Sequence, residues 1–569
     1  MNTQVAATAL DPVDYAVITQ GLIAAAREMG VKLVRSAYST IIREASDASA
    51  AIFDRYGNVV SQAELIPMQL GPMSETFKAC ADRYPIDQLR EGDFYITNDP
   101  YHGGQHLQDV FIYCPVFVGD ELVGFTGSVA HHLDLGGGNP GLTTEAADVH
   151  AEGFILPSLK FNYDRDWAGQ GNLKLLLSAN IRVPSQTIGD FDAQFAANAM
   201  GAQRLRQLCA KYGTRAIAAA MDQLNAYSET RVRAAIAALP DGVYFGEDAI
   251  DDNGITDDPL VIKARVTIAG DQISIDFDGS CRQISRNLNC PFSSTVAAAL
   301  TAVKASLTSP DIPFNEGLKR PISVTAPKGS ILNPNYPAPV RARMEAGYRC
   351  FNAVMKALAP IAPQQVIAGG NDATLVTSLA VQRRGGYRVY LEVYGGGYGA
   401  SALVDGCDAV DSPLSNCTNT PVEATDMDFD HFRIIGYGLL PDSCGHGRHR
   451  GGLGFFRRFE VLDDEVNFAM YADRFRIAPY GLFGGTDGQT GRAEVLRDGQ
   501  VIRLRSKEAM TLRKGDVLTV YTAGGGGFGP AAERPARDIA RDLENGFLTE
   551  STVMAAYPAF AATRGEGTV

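Results

Sequence analysis

The histidines of this 569-residue chain are clustered. Of eight in total, His102, His106, His131 and His132 fall between positions 102 and 132, and His150 follows closely. Two of them have a carboxylate three residues on, in His106-Leu107-Gln108-Asp109 and His131-His132-Leu133-Asp134. Neutral imidazole and carboxylate suit Zn²⁺ or Mn²⁺, and a catalytic metal keeps one coordination position open for water. The segment 98–134 is therefore expected to build a divalent-metal site. Gly103-Gly104 and Gly136-Gly137-Gly138 let the backbone turn sharply beside it. The competing reading is that the histidines act separately, as surface or hydrogen-bonded groups on two loops. Spacing alone leaves Asp47 a helix-end or turn acid.

Several other chemistries lack their signatures. There is no Gly-x-x-x-x-Gly-Lys-Ser/Thr loop for ATP, no Gly-x-Ser-x-Gly elbow and no His-Glu-x-x-His helix. The glycine runs at 395–399 and 524–529 do not match the dinucleotide fingerprint and read as tight turns. Arg448-His449-Arg450 is basic and could hold an anion, but a solvated turn explains it more simply. A net charge of −14 argues against nucleic acid as a main partner. The nine cysteines are scattered, without a Cys-x-x-Cys pair, and read as free thiols in a reducing cytoplasm. Met1–Ala7 carries no basic, apolar leader pattern. No stretch approaches the ~20 apolar residues of a membrane span; Val296–Leu307 is short and includes Lys304.

The elements that must position the cluster can be read from periodicity. Asp11-Pro12 is a helix start, and Ile18, Leu22, Ala26, Met29 and Leu33 form one apolar face to about Ser36. Residues 50–54 and 59–60 around Tyr56-Gly57-Asn58 read as a hairpin. Further hairpins are expected at 262–268 with 273–277 and at 495–496 with 501–502. Val123–Val129 reads as a strand that delivers His131 at its end. Asp192–Tyr212, Arg215–Leu239 and Ala342–Leu358 read as helices, and a charged helix at about 534–545 closes the chain. The fold class is α+β: multi-layer mixed α/β with several antiparallel hairpins and a β-rich, glycine-rich C-terminal half. Boundaries are placed to give a metal-binding region 1–240, a β-rich region 241–330 and a glycine-rich α+β region 331–569.

Taken together, these residues resemble the hydantoinase B/oxoprolinase family. The resemblance rests on Ser39-Thr40-Ile41-Ile42-Arg43-Glu44 with Asp47, the run Asn98 to Asp109, Ala130 to Gly137, and Glu152-Gly153. Asn419-Thr420-Pro421-Val422-Glu423, Arg448 to Gly454 and Gly524 to Gly529 complete it. It implies the B, or beta, component of a two-part cytoplasmic enzyme. The A component would be an actin-like ATPase that binds ATP and Mg²⁺, in a hetero-oligomer such as α2β2. Related enzymes include ATP-dependent hydantoinases, 5-oxoprolinase, a caprolactamase, and acetone and acetophenone carboxylases. The resemblance implies metal ligands at Asp47, His106, Asp109 and His131, with His102 a bystander. Gln105 and Gln108 stand where threonine and proline are usual, which leaves the ligands intact but reshapes the surroundings.

The expected chemistry is hydrolysis of a cyclic amide such as a hydantoin, 5-oxoproline or a lactam. The A component would phosphorylate the amide oxygen, removing its resonance, and a metal-activated water would attack. Asp134 or His132 is the expected general base. Arg43 and the Asn98–Tyr101 turn are expected to position substrate or phosphate. Two alternatives stand beside this reading: a component of an ATP-dependent ketone carboxylase, and a non-catalytic, metal-containing scaffold for the A component.

Overall fold

The computed structural model describes residues 10–63, 65–411 and 413–565. Met1–Ala7, read above for a leader, lies outside the described residues. The first helix is Pro12–Ser36, with the Asp11 carboxylate accepting the Val13 N–H at 2.9 Å as the N-cap. Its buried face carries Ile18, Leu22, Ala26, Met29 and Leu33, and it packs on the strands that lead into the site.

Those strands belong to a six-stranded sheet: β1 (Ala48–Phe53), β2 (Val59–Ala63), β3 (Asp93–Thr97), β4 (Asp109–Val118), β5 (Glu121–His131) and β6 (Leu159–Asn162), in the order β2-β1-β5-β4-β3-β6. All its pairings are antiparallel. β1 and β2 are the hairpin expected around Gly57. The Pro184–Tyr212 helix lies across β4 and β5 and against the first helix. It begins eight residues earlier than its periodicity suggested, at Pro184 in the first turn. The Thr214–Ala237 helix follows after Gly213.

A second sheet holds β7 (Gly242–Ile250), β8 (Leu260–Ala269), β9 (Gln272–Asp276) and β10 (Ile322–Thr325), in the order β10-β9-β8-β7. The Arg343–Leu358 helix packs on β7, β8 and the Phe292–Leu307 helix. The remaining strands are β11 (Leu375–Arg383), β12 (Gly386–Tyr394), β13 (Phe432–Leu439), β14 (Phe455–Val461), β15 (Val466–Tyr471), β16 (Arg492–Arg497), β17 (Gln500–Arg503), β18 (Lys507–Leu512) and β19 (Val517–Tyr521). They form a four-stranded sheet, β12-β11-β15-β18, and a five-stranded one, β13-β14-β19-β16-β17. The architecture is the multi-layer α+β arrangement expected, with its antiparallel hairpins. One buried apolar cluster includes Ile18, Ile262, Val354 and Tyr471, so residues from all three stretches delimited above contribute to it.

Three expectations are corrected here. The charged helix, Ala536–Glu544, does not close the chain: Glu550–Ala556 and Pro558–Gly565 follow it. The glycine runs are mostly not turns. At Gly397, Gly452 and Gly525 a Cβ would fall about 2 Å from another segment's backbone (2.1 Å from Gly452 O, 1.8 Å from Cys407 O and 2.0 Å from Tyr398 O), and none of the three has a positive φ. These segments stack backbone against backbone, joined by bonds such as Gly452 N–H to Tyr398 O at 2.8 Å and Gly525 N–H to Gly452 O at 2.9 Å. Absence of side chains, not freedom of φ, is what the stack requires. Arg450 is likewise no solvated turn. It is buried and pairs with Asp408 and Asp542, while Arg534 pairs with Asp405 and Asp542.

All nine cysteines are free thiols. Among the described residues no helix is long and apolar enough to cross a membrane. Phe292–Leu307 is a buried core helix.

Candidate functional site

Three strand ends meet at one end of the first sheet. β1, β5 and β4 are neighbours, with Ala48 opposite Ala130 and His131 opposite Asp109. Asp47 directly precedes β1, and its carbonyl accepts the His131 N–H at 3.0 Å. Adjacent strands lie about 4.8 Å apart, so Asp47, His131 and Asp109 stand side by side. His106 arrives from the loop before β4, where the Asp109 N–H donates to the His106 carbonyl at 3.1 Å. The His106 and His131 rings lie 5.0 Å apart between centroids.

The Asn98–Tyr101 turn secures this loop. Asn98 Nδ2 donates to the carbonyls of Leu107 (2.7 Å) and Phe154 (3.0 Å), and Asn98 Oδ1 accepts the Leu156 N–H at 2.6 Å. Asp99 caps the turn by accepting the Tyr101 N–H at 2.9 Å. A Cβ at Gly104 would sit 2.5 Å from the Asp99 carbonyl, so the loop closes this tightly only with glycine there.

The electrostatics divide the four residues sharply. Burial pulls the His106 imidazole down to about 4, and Arg343 adds to the effect. His131 is also held well below its ordinary value by burial and by His106. Both rings are therefore neutral at physiological pH. His106 Nδ1 lies 3.1 Å from the Arg341 carbonyl, an acceptor, so that nitrogen carries the proton and Nε2 keeps a lone pair. His106 Nε2 and His131 Nδ1 are buried atoms without a hydrogen-bond partner.

Burial would raise the Asp109 carboxyl, but His106 and Arg343 outweigh it and hold the group well below the carboxylate range. Arg343 Nη2 donates to Asp109 Oδ2 at 2.5 Å, and His106 Nε2 lies 3.3 Å from the same oxygen. Asp47 is held well above its ordinary value by desolvation and by the charge of Asp109. Gln69 Nε2 bridges the two carboxylates, at 2.8 Å from Asp47 Oδ1 and 3.2 Å from Asp109 Oδ1.

Two neutral imidazoles beside two carboxylates are the donor chemistry of a divalent cation. Among the described residues, however, no three His, Cys, Asp or Glu side chains converge on a single point. Asp109 Oδ2 is turned to Arg343 instead. The donor types fit a metal, and bringing them together requires the Asp109–Arg343 contact to loosen.

The cluster opens on a cavity. Asp47, His106, His131, Arg341, Arg343 and Glu345 all line it. The other expected residues are elsewhere. His132 follows His131 along the chain and so points to the opposite face. There it stacks on Phe191 at 4.0 Å between centroids, with Nε2 2.9 Å from Gln194 Oε1. Asp134 is ion-paired with Arg182 at 3.1 Å and accepts the Gly136 N–H at 3.2 Å. Arg43 pairs with Glu44 and Asp428, each at 2.7 Å. His102, with its side chain 68% exposed, pairs with Asp99, and exposed His150 meets the Tyr336 hydroxyl. None of these lines the cavity.

Gln69, Arg341, Arg343 and Glu345 were missed from sequence. Arg341 and Arg343 flank the start of the Arg343–Leu358 helix, and their burial depends on packing that the local sequence does not announce. Nor does it announce Gln69.

The chain from residue 11 to 531 matches the family model described as hydantoinase B/oxoprolinase. It belongs to the hydantoinase B/oxoprolinase family. Within that family it is 35% identical to a protein named as the putative B component of a D-/L-hydantoinase from Pseudomonas sp. (strain NS671), over 96% of this chain and 95% of that one. It is 30% identical to a 5-oxoprolinase from Dictyostelium discoideum, covering 92% of this chain but 40% of that longer protein. The crystal structure of the ATP-dependent caprolactamase from Pseudomonas jessenii superposes with a TM-score of 0.89 at 27% identity, over 97% of this chain and 96% of that one. A nucleotide-free acetone carboxylase structure shares the fold, with a TM-score of 0.87 at 18% identity, over 98% of this chain and 83% of that one. Glu152-Gly153, one mark of the hydantoinase B/oxoprolinase resemblance, acts on the cavity through the backbone. The Glu152 carboxylate accepts the N–H groups of Val340 and Arg341, each at 2.9 Å.

Proposed function

We propose that this chain is the hydrolytic component of an ATP-dependent cyclic amide hydrolase, opening a hydantoin, 5-oxoproline or lactam ring whose carbonyl oxygen a partner A-type ATPase has phosphorylated. The observation that carries the reading is the one cavity that His106 and His131 line together with the buried Arg341 and Arg343. Its support is similarity along almost the full chain to proteins named as the B component of a hydantoinase and the beta component of a caprolactamase.

Asp47, His106, Asp109 and His131 would hold a divalent metal, Zn²⁺ or Mn²⁺. When bound, such an ion lowers the pKa of water toward about 7 and polarises a carbonyl. The chain's own residues do the rest. Arg341's carbonyl fixes the tautomer of His106 and leaves Nε2 as its donor atom. Gln69 holds the two carboxylates in register. Arg343 covers the negative charge of Asp109 until a cation takes its place. His132 and Asp134 do not line the cavity, so they are not placed to act as general base on a water there.

The test mixes this chain with an A-type ATPase partner and ATP. Hydantoins, 5-oxoproline and lactams are screened for ring opening coupled to ATP turnover. Turnover driven by a ketone and bicarbonate, with no ring opened, would replace this reading with carboxylation. The chain alone is expected to hydrolyse no ATP.

A further inference from the structure

Arg341 is the unusual residue of the cavity. It is 6% exposed, and its guanidinium makes no hydrogen bond or ion pair among the described residues. The acids around it are engaged elsewhere. Glu152 accepts backbone N–H groups, and Asp134 pairs with Arg182. Arg343, two residues on, is neutralised by Asp109. A buried guanidinium that lacks a partner is costly, and burial pulls its pKa down.

A second feature lines the same cavity. The Arg343–Leu358 helix starts here with Ala342 as N-cap and no side-chain cap. A helix N-terminus carries a partial positive charge; here the Arg343 N–H is held by the Val340 carbonyl at 3.0 Å and the Glu345 N–H by the Ala342 carbonyl at 3.2 Å. The acid of its first turn, Glu345, does not supply the missing anion. Burial and Asp473 push it up to about 8, and neither carboxyl oxygen has a hydrogen-bond partner.

We propose that Arg341, beside the start of the Arg343–Leu358 helix, forms an anion subsite that seats an oxyanion group of the substrate in the cavity that His106 and His131 also line. Two groups have this chemistry: a carboxylate on the ring, or the phosphoryl group placed on the amide oxygen. The inference rests on the amide-hydrolase reading for its substrate but on Arg341 alone for its charge. The Arg341 backbone ties the subsite to the cluster, because its carbonyl holds His106 and its N–H is held by Glu152. An anion seated on this guanidinium is thereby indexed against the His106 ring.

The experiment uses the full chain, stripped of metal by a chelator that is then dialysed away, without partner or ATP. Calorimetric titrations compare inorganic phosphate, 5-oxoproline and 2-pyrrolidinone, the same ring without a carboxylate. Wild type should bind at least one anion about tenfold or more tightly than 2-pyrrolidinone, as a charged hydrogen-bonded contact implies. Arg341→Gln should lose that preference, and Arg341→Lys should keep part of it with an unchanged melting temperature. Preference for 5-oxoproline identifies a ring carboxylate; preference for phosphate alone identifies the phosphoryl group. Equal binding of neutral and anionic ligands by wild type, or an undiminished preference in Arg341→Gln, overturns the subsite. If Arg341→Gln does not fold, Arg341→Met takes its place: loss of the preference there supports the subsite, and full preference overturns it. Failure of the amide-hydrolase reading would show separately, as no ring opening with the partner present while the anion preference stands.

Discussion

Two buried clusters of charge in this molecule are built on opposite rules. In the C-terminal knot, Arg450 and Arg534 share Asp405, Asp408 and Asp542, and both guanidinium groups have carboxylate partners on more than one side. In the cavity, Arg341 has none, and His106 Nε2 and His131 Nδ1 are buried without a hydrogen-bond partner. The knot ties the Ala536–Glu544 helix to the glycine-rich stack and serves the fold. The guanidinium groups draw the contrast: carboxylates pair them in the knot, and Arg341 is left open toward the cavity.

The sharpest break of this comparison is His106→Ala. Bound metal, measured by elemental analysis, should fall to background and ring opening should vanish while the melting temperature holds. Retained metal would place the donor set elsewhere. Next is Asp542→Ala in the knot, which should leave metal content unchanged and lower stability by about 3 kcal/mol, the low end for breaking a buried pair since Asp405 and Asp408 remain. Denaturant titration reads it, and a loss of metal there would mean the two clusters are coupled. Gln69→Ala removes a group that orients two ligands and should weaken metal affinity about 10–100-fold in a competition assay. Smallest is Arg43→Ala. Its half-exposed pairs are worth about 0–1 kcal/mol and it lies off the cavity, so kcat and KM should be unchanged. A clear loss of kcat would restore the positioning role expected of it from sequence.

Much of the architecture was legible because it rests on local patterns. The Asp11-Pro12 start, the hairpin around Gly57 and the strand running into His131 all announce themselves within ten residues. What was not legible depends on contacts distant in sequence. Asp47 joins the cluster only because β1 lies beside β5, and Arg341 only because the proline-rich segment returns past His106. The early part of the Pro184–Tyr212 helix includes Gly189, which makes room for Tyr38: a Cβ there would fall 2.4 Å from that ring. His132 was overvalued because proximity along a strand is the opposite of proximity on a face.

That last point reaches further. The doubled histidine at the end of β5 means that sliding the strand by one residue would present an imidazole to the cavity in either register, so residue type at that position cannot police the alignment. Gly127 can. Built in the middle of β5, it lies under the Phe53 and Tyr113 rings, where a Cβ would come within 2.6 and 2.8 Å. Its neighbours Thr126 and Ser128 could not take that seat. The molecule reads out its own threading at a bare backbone position four residues upstream, and the identity of the histidine offered to chemistry is decided there.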